Sequence, residues 1–130
     1  MIANVDLLVD TTILVDLFKS DARAIGWAQQ NQGLRIGIPL LVWMEVVFGA
    51  RNQSEQNDLH RKLQDYRLIL LSDQDQVLAQ QLLTSYHLPH GVGCFDCLIA
   101  ATAVRMGTPL CTLNERHFSV IPNLTVIRPY

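Results

Sequence analysis

Residues 5–18 read VDLLVDTTILVDLF, and this stretch decides the fold because its pattern changes at a single charged residue. The aliphatic segment from Val5 to Val9 is typical of a short strand. Asp10 or Thr11 carries a side-chain oxygen that can accept the free amide hydrogens at the start of a helix, and Thr12 to Phe18 continues as that helix. The stretch therefore predicts a strand that passes into a helix, with an acid at the junction.

The same alternation continues along the rest of the chain. Pro39 fits the first position of a helix, where its missing amide hydrogen costs nothing, and residues 88–93 contain Pro and Gly and predict a loop. The other strands are predicted at 34–38, 67–71, 110–113 and 124–127, and the other helices at 22–30, 40–50, 54–66, 72–86 and 95–106. This order predicts the α/β class, with one domain over residues 1–130 and a mostly parallel central sheet of four to five strands between two layers of helices.

Composition narrows the possible classes of protein. The chain has 130 residues, 49 % of them hydrophobic and 17 % charged, so it can bury a sizeable core. The formal net charge of −2 gives no overall basic field of the kind that indicates nucleic-acid binding. Three cysteines are an odd number, which argues against a disulfide framework and fits a reducing cytoplasm. The start at Met1 lacks the basic segment of a signal peptide, and no apolar run reaches the roughly 20 residues of a membrane span.

Three carboxylates lie in apolar segments that are far apart in the sequence. Asp10 ends the first strand, Glu45 lies within LLVWMEVVFG at 40–49, and Asp96 interrupts CFDCLIAA at 94–101. An isolated buried carboxylate is costly, so such a group is usually paired, protonated or bound to a metal ion. Because sites in parallel sheets lie at the carboxyl ends of the strands, we expect one shared acidic site. Hard divalent cations prefer oxygen ligands of this kind.

Four motifs carry a family resemblance in their order along the chain. They are LLVDTTILVDL around Asp10, MEVVFG around Glu45, DCLIAATA beginning at Asp96, and TLNERHF at 112–118. Each motif alone is a weak signal, but together their order and spacing resemble those of PIN domains over essentially the whole chain. The chain most resembles the VapC group of that family, the toxins of type II toxin–antitoxin pairs.

That resemblance implies a three-layer PIN-like fold and a metal-dependent endoribonuclease that hydrolyses cellular RNA. It assigns Asp10, Glu45 and Asp96 as ligands of one or two Mg²⁺ or Mn²⁺ ions, with Asn114 completing the catalytic site. Metal ions at such a site activate water for attack on phosphorus, and products with 5′-phosphate and 3′-hydroxyl ends are expected. The resemblance also implies an antitoxin partner, a homodimer and a cytoplasmic location.

The fourth motif departs from the pattern of many relatives. Asn114 occupies a position that is Asp in others, so three formal negative charges are expected at the site rather than four. His117 stands where Asp is common. We expect contacts to substrate phosphate or to an activated water from Thr12, Arg116 and His117. We expect the Thr112 hydroxyl to orient its neighbours.

Two of the predicted helices lead to expectations about core packing and about a protein partner. The helix at 40–50 is apolar nearly all round, which predicts burial on most of its faces. The polar stretch from Ser54 to Gln64 resembles the arm that helps to form the antitoxin groove with the early helices in this family. Ile13, Leu17 and Phe18 either line that groove or belong to the core.

Two other functions remain open from the residues alone. A PIN-like domain with a weakened acidic set could be a catalytically weak binding or scaffold module. Alternatively, His90, Cys94 and Cys97 could form a zinc or redox site, because Cys-x-x-Cys is a common spacing for both. We interpret the three cysteines, including Cys111, as small core residues.

Overall fold

A parallel five-stranded sheet forms the centre of the structure, a computed structural model that describes residues 4–130. The strands are β1 (Leu7–Val9), β2 (Ile36–Pro39), β3 (Arg67–Ile69), β4 (Leu110–Cys111) and β5 (Val126–Ile127). They lie in the order β3-β2-β1-β4-β5, and every neighbouring pair is parallel. Residues 1–3 of the predicted domain, including the start that was compared with a signal peptide, lie outside the described residues.

Helices flank this sheet and confirm the predicted α/β class. They are α1 (Thr11–Phe18), α2 (Ala22–Gln30), α3 (Leu40–Phe48), α4 (Gln53–Leu63), α5 (Asp73–His90), α6 (Cys94–Met106) and α7 (Glu115–Phe118). In the part of the chain that the structure describes, none of these helices has the length and apolar character to cross a membrane.

The β1–α1 junction forms as the sequence predicts. Asp10 is the N-cap of α1, and its Oδ1 accepts a 2.7 Å hydrogen bond from the Thr11 N–H. On the neighbouring strand, Gly37 pairs with Leu8. A Cβ atom at position 37 would lie 2.9 Å from the side-chain ends of Leu8 and Val5, so a larger residue would have to displace those two side chains.

The predicted loop at 88–93 is wrong in its first half, because α5 continues through Pro89 to His90. A proline in the last turn removes a single helical hydrogen bond, so the helix can still include it. The helix ends instead at Gly91, whose φ of 74° is a left-handed conformation that glycine adopts without strain. The Gly91 N–H donates to the carbonyl of His87.

Two predictions for α3 need correction. Pro39 is the last residue of β2 and the N-cap of α3, so it precedes the helix and does not occupy its first position, whereas the helix itself begins at Leu40 as predicted. The predicted burial of α3 is wrong for one face, because Met44 is 50 % exposed and Phe48 is 90 % exposed, whereas Val42 is fully buried. Hydrophobicity shows that a face is apolar, but not whether the same chain covers it.

Candidate metal centre

The carboxyl ends of two adjacent strands bring predicted site residues together. Asp10 directly follows β1, and Thr112 directly follows β4. Asp10 is buried, and its Oδ2 accepts a 2.8 Å hydrogen bond from the Thr112 hydroxyl. The same Thr112 oxygen accepts a 2.9 Å hydrogen bond from the backbone N–H of Asn114. Hydrogen bonds therefore fix the Asp10 carboxylate relative to the segment that follows β4.

The Asp10 carboxyl is under opposing electrostatic influences. Burial raises its pKa most, the hydrogen bonds from Thr112 and Thr11 lower the pKa, and repulsion from Asp96 raises it again. Because a buried anion is costly unless it is compensated, an ionised Asp10 destabilises the fold as it stands. A positive charge beside Asp10 would relieve this cost.

Glu45 takes part in the same repulsion from its position on α3, where it is half-buried. Burial is the main cause of its raised pKa, repulsion from Asp10 adds to the effect, the Thr11 hydroxyl opposes it, and repulsion from Asp96 contributes least. The Thr11 Oγ1 atom is itself buried, and it has no hydrogen-bond partner among residues 4–130. Its contact with Glu45 is therefore too poor in geometry to be a hydrogen bond, and we regard it as weak.

His117 lies between Asp96 and Asn114. Its Nδ1 atom is 3.4 Å from Asp96 Oδ2 and 3.0 Å from Asn114 Nδ2. Without a proton, Nδ1 can accept a hydrogen bond from the amide, and with a proton it can donate to the carboxylate, but it cannot do both at once. Asp96 lies in the first turn of α6, and 26 % of its side chain is exposed. The side chain of Asp96 is therefore accessible to an ion or to substrate.

Thr12 and Arg116, which were predicted to contact substrate, lie at the rim of this region. Thr12 is exposed, and its hydroxyl accepts a 3.4 Å hydrogen bond from the Leu113 N–H, which ties α1 to the segment after β4. Arg116 is exposed on α7 and makes no ion pair with any of residues 4–130. An unpaired guanidinium can bind a phosphate oxygen with charge-assisted hydrogen bonds.

The donor set fits a hard divalent cation, because it consists of carboxylate, hydroxyl and amide oxygens. The buried, unpartnered hydroxyl of Thr11 is also a polar atom that water around an ion would satisfy. Within residues 4–130, however, no three His, Cys, Asp or Glu side chains lie close enough together to hold an ion as they stand. Binding an ion would therefore require the carboxylates to turn towards one another.

The alternative zinc site is not formed in the described part of the chain. His90 is exposed, with its ring centroid 6.1 Å from that of Tyr86, and no metal-binding group includes it. The prediction that the cysteines are core residues is correct for Cys97 and Cys111 but wrong for Cys94. Cys94 is the first residue of α6 and is exposed at the start of that helix.

Two features of the site region were missed by the sequence analysis. The Thr11 hydroxyl beside Glu45 has no sequence signal except its position next to Asp10. An apolar cleft of about 470 Å³ also opens beside Glu45, and it is lined by Leu41, Met44, Phe48 and Phe95 in addition to that acid. The exposed aromatic residues Phe48 and Phe95 could have suggested such a surface only if their burial had been known.

The parallel sheet and its acidic edge define the class of protein to which this chain belongs. The family model of the PIN domain matches residues 7–124. The chain therefore belongs to the PIN domain family, and the resemblance carried by the four motifs is confirmed.

Two relatives of this chain are named as VapC ribonucleases. "Ribonuclease VapC19" of Mycobacterium tuberculosis is 34 % identical over 120 residues, which are 90 % of this chain and 95 % of that protein. "Ribonuclease VapC" of Rickettsia bellii is 28 % identical over 129 residues, 93 % of this chain and 94 % of the relative.

Solved structures of related proteins share the fold. A chain of a toxin–antitoxin complex from Klebsiella pneumoniae has a TM-score of 0.78 at 28 % identity, covering 96 % of this chain and 98 % of that one. A chain of VapBC2 from Rickettsia felis, bound to a DNA fragment from its promoter, has a TM-score of 0.77 at 24 % identity and covers 93 % and 96 %.

Proposed function

We propose that this protein is a Mg²⁺- or Mn²⁺-dependent endoribonuclease and the toxin of a type II toxin–antitoxin pair. The observation that carries the proposal is the placement of three carboxylates near one edge of the sheet, with Asp10 as the N-cap of α1, Glu45 on α3 and Asp96 in the first turn of α6. Like charges gathered in this way cost stability unless a cation offsets them. Relatives that match nearly the whole chain are named ribonucleases, which supports a nuclease over other metal-dependent activities.

The roles of the acidic residues follow from their positions. A divalent cation bound here would lower the pKa of water and stabilise negative charge on the scissile phosphate. Asp10, Glu45 and Asp96 would hold one or two such ions, and the Thr112 hydroxyl would keep Asp10 oriented. Asn114 would complete the site with a neutral amide oxygen, so the protein supplies three negative charges.

The residues at the rim would position the RNA. Arg116 would bind a phosphate oxygen, and the Thr12 hydroxyl would donate to a second oxygen or to a water molecule. His117 would influence Asp96, since a protonated Nδ1 competes with an ion for that carboxylate and an unprotonated Nδ1 does not.

The test is incubation of the purified protein with total bacterial RNA and Mn²⁺, followed by sequencing of the fragment ends. We expect discrete cuts that disappear with EDTA and in the Asp96→Asn protein. Asp65→Asn is the matched control and should keep the cuts, because Asp65 precedes β3 and lies at the opposite edge of the sheet. Cuts that persist in Asp96→Asn would contradict a catalytic role for this site. A folded protein that binds Mn²⁺ but cuts no RNA would favour the scaffold module.

We also propose that the antitoxin occupies a groove of about 610 Å³ between α1, α4 and the end of α3. The groove is lined both by apolar side chains and by charged side chains of both signs, which suits an amphipathic segment of another chain. The apolar side chains that line it are Val15, Phe18, Val46, Ala50 and Leu59. One similar structure at 28 % identity is a toxin–antitoxin complex, which supports a protein partner for this chain.

From the sequence, Ile13, Leu17 and Phe18 could either line the groove or belong to the core, and the structure distinguishes between these positions. Ile13 is fully buried in the core, and Leu17 packs against the core without lining the groove. Phe18 lines the groove, with the Lys62 ammonium 5.5 Å from its ring centroid. Co-expression with the product of the adjoining gene tests this surface, because Phe18→Asp and Lys62→Glu should lose the partner. Leu17→Asp is the counterpart variant, and any folded fraction of that protein should still bind.

The homodimer implied by the resemblance is proposed to form through the exposed face of α3 and the start of α6. Phe48 is 90 % exposed, Phe95 is 56 % exposed and Met44 is 50 % exposed, and the three line one cleft. A contiguous patch of large apolar side chains is typical of a protein–protein interface. Sedimentation should show a dimer that Phe48→Glu converts to a monomer, whereas Leu70→Glu, at another exposed apolar position, should remain dimeric.

A further inference from the structure

The first turn of α6 carries two thiols, Cys94 and Cys97, on either side of Asp96 in sequence. Cys94 is exposed and Cys97 is buried, and both line a single cleft of about 260 Å³ between α5 and α6. Cys111, the third cysteine, is buried on β4 and does not line this cleft. The cleft therefore joins one solvent-accessible thiol to one protected thiol.

We propose that Cys94 and Cys97 form a reversible disulfide that weakens the site at Asp96. The effect on RNA cleavage rests on the proposed ribonuclease function, whereas formation of the bond does not. In an α-helix, Cα atoms three residues apart are separated by about 5 Å, which is within the roughly 4.4–6.8 Å that a disulfide spans. The backbone spacing of these two residues therefore permits the bond.

Closing the bond must nevertheless change the first turn of α6. Helical Cβ atoms three residues apart are about 5–6 Å from each other, whereas a disulfide requires about 3.8 Å. The turn can contract, because its N-cap is Gly93 and no side chain caps the helix. Asp96 lies inside the closed ring, so the contraction moves its carboxylate relative to Asp10. A strained bond of this kind is also typical of easily reduced, regulatory disulfides.

The chemistry balances with a peroxide as the oxidant. The Cys94 sulfur attacks one oxygen of hydrogen peroxide, the O–O bond breaks, and Cys94 sulfenic acid and one water form. The Cys97 sulfur then attacks the Cys94 sulfur, the S–O bond breaks, and the second water leaves as the S–S bond forms. The two thiols lose two electrons and two protons in all, and a dithiol reductant reverses the reaction.

Mass spectrometry of the purified full-length protein tests bond formation without any need for nuclease activity. Under limiting hydrogen peroxide, we expect the wild type to lose the mass of two hydrogen atoms and to yield a peptide with an internal Cys94–Cys97 bond. Cys111→Ser is the matched control and should form the same bond, whereas Cys94→Ser and Cys97→Ser should not. Oxygen atoms accumulating on Cys94, or a bond between two chains, would overturn the proposal.

Two further readouts test the link to Asp96. Oxidised protein should bind Mn²⁺ several-fold more weakly than reduced protein, and it should cleave RNA several-fold more slowly until dithiothreitol restores it. Cys94→Ser should keep its Mn²⁺ affinity and its cleavage rate after peroxide treatment. A disulfide that forms without changing Mn²⁺ affinity would overturn the link. If the reduced protein cuts no RNA, the ribonuclease proposal fails alone, because the mass and Mn²⁺ readouts still decide this inference.

Discussion

The Thr112 hydroxyl donates a 2.8 Å hydrogen bond to Asp10 Oδ2, which joins the ends of two neighbouring strands that are 102 residues apart in sequence. Both side chains are buried. Thr112→Val would leave this carboxylate oxygen without its donor, and we expect the free energy of unfolding to fall by about 1–3 kcal/mol. The pKa of Asp10 should rise further, because the Thr112 bond lowers it. Urea denaturation in EDTA measures the loss of stability.

Thr112→Ser is the matched control for that substitution. It keeps the hydroxyl and removes only a methyl group, so most of the stability and of the Mn²⁺ affinity should remain. Equal losses in Thr112→Val and Thr112→Ser would show that packing, rather than the bond to Asp10, accounts for the effect.

Asp10→Asn is expected to stabilise the metal-free protein near neutral pH. Burial is the main reason that the pKa of Asp10 is raised above its usual 3.8, so the folded state binds the proton more tightly than the unfolded state. The stability that Asp10 contributes therefore falls as pH rises through this raised pKa. Below pH 3.8 both states are protonated, and the gain from Asp10→Asn should disappear. Denaturation curves in EDTA across this range make the measurement.

Asp6 provides a control of opposite sign in the same experiment. Hydrogen bonds from Arg35 lower the pKa of Asp6 from 3.8 to about 2. Its contribution to stability is complete above its unfolded pKa and is lost as pH falls towards 2. Asp6→Asn should therefore destabilise the protein at neutral pH, by an amount that shrinks in acid. If both variants shifted stability in the same direction at neutral pH, the electrostatic interpretation of Asp10 would be wrong.

The bounds of helices that begin or end at a capping residue could be predicted closely from the sequence. The helix predicted at 22–30 is found at Ala22–Gln30, because the Asp21 side chain accepts hydrogen bonds from two N–H groups in the first turn. The helix predicted at 95–106 also ends at Met106 as expected, and it is followed by Gly107, whose φ of 60° favours glycine. Both signals act within a few residues, so they do not depend on the rest of the fold.

Features that depend on packing could not be predicted in this way. The exposure of Phe48 and Cys94 depends on which element covers a helix face or a helix end. For the site, a shared position of Asp10, Glu45 and Asp96 could be expected, because functional sites of parallel sheets lie at the carboxyl ends of the strands. The position of His117 between Asp96 and Asn114 depends on side-chain orientation in a helix of a single turn, and no sequence pattern encodes that orientation.

Asp75→Ala should destabilise the fold strongly, because it breaks a buried ion pair between α5 and α6. Asp75 is fully buried, and its Oδ1 accepts a 2.6 Å hydrogen bond from Arg105 Nε. Removing one partner of a buried pair typically costs about 3–5 kcal/mol, and the lower end is expected because 26 % of the Arg105 side chain is exposed. Asp58→Ala is the surface control, since its partners are exposed, and should cost about 1 kcal/mol or less. Similar losses in the two variants by urea denaturation would contradict this assignment.

Asn114→Asp should strengthen the binding of Mn²⁺. The new carboxylate would add a fourth negative charge near the proposed site, and it could also accept a hydrogen bond from His117, which leaves Asp96 free for the ion. Calorimetry on protein stripped with EDTA should show several-fold tighter binding. Asn57→Asp adds the same charge on the exposed surface of α4 and should leave the affinity unchanged, because solvent and salt screen distant surface charges. Equal tightening in both variants would indicate a general effect of net charge and would argue against Asn114 as part of the metal centre.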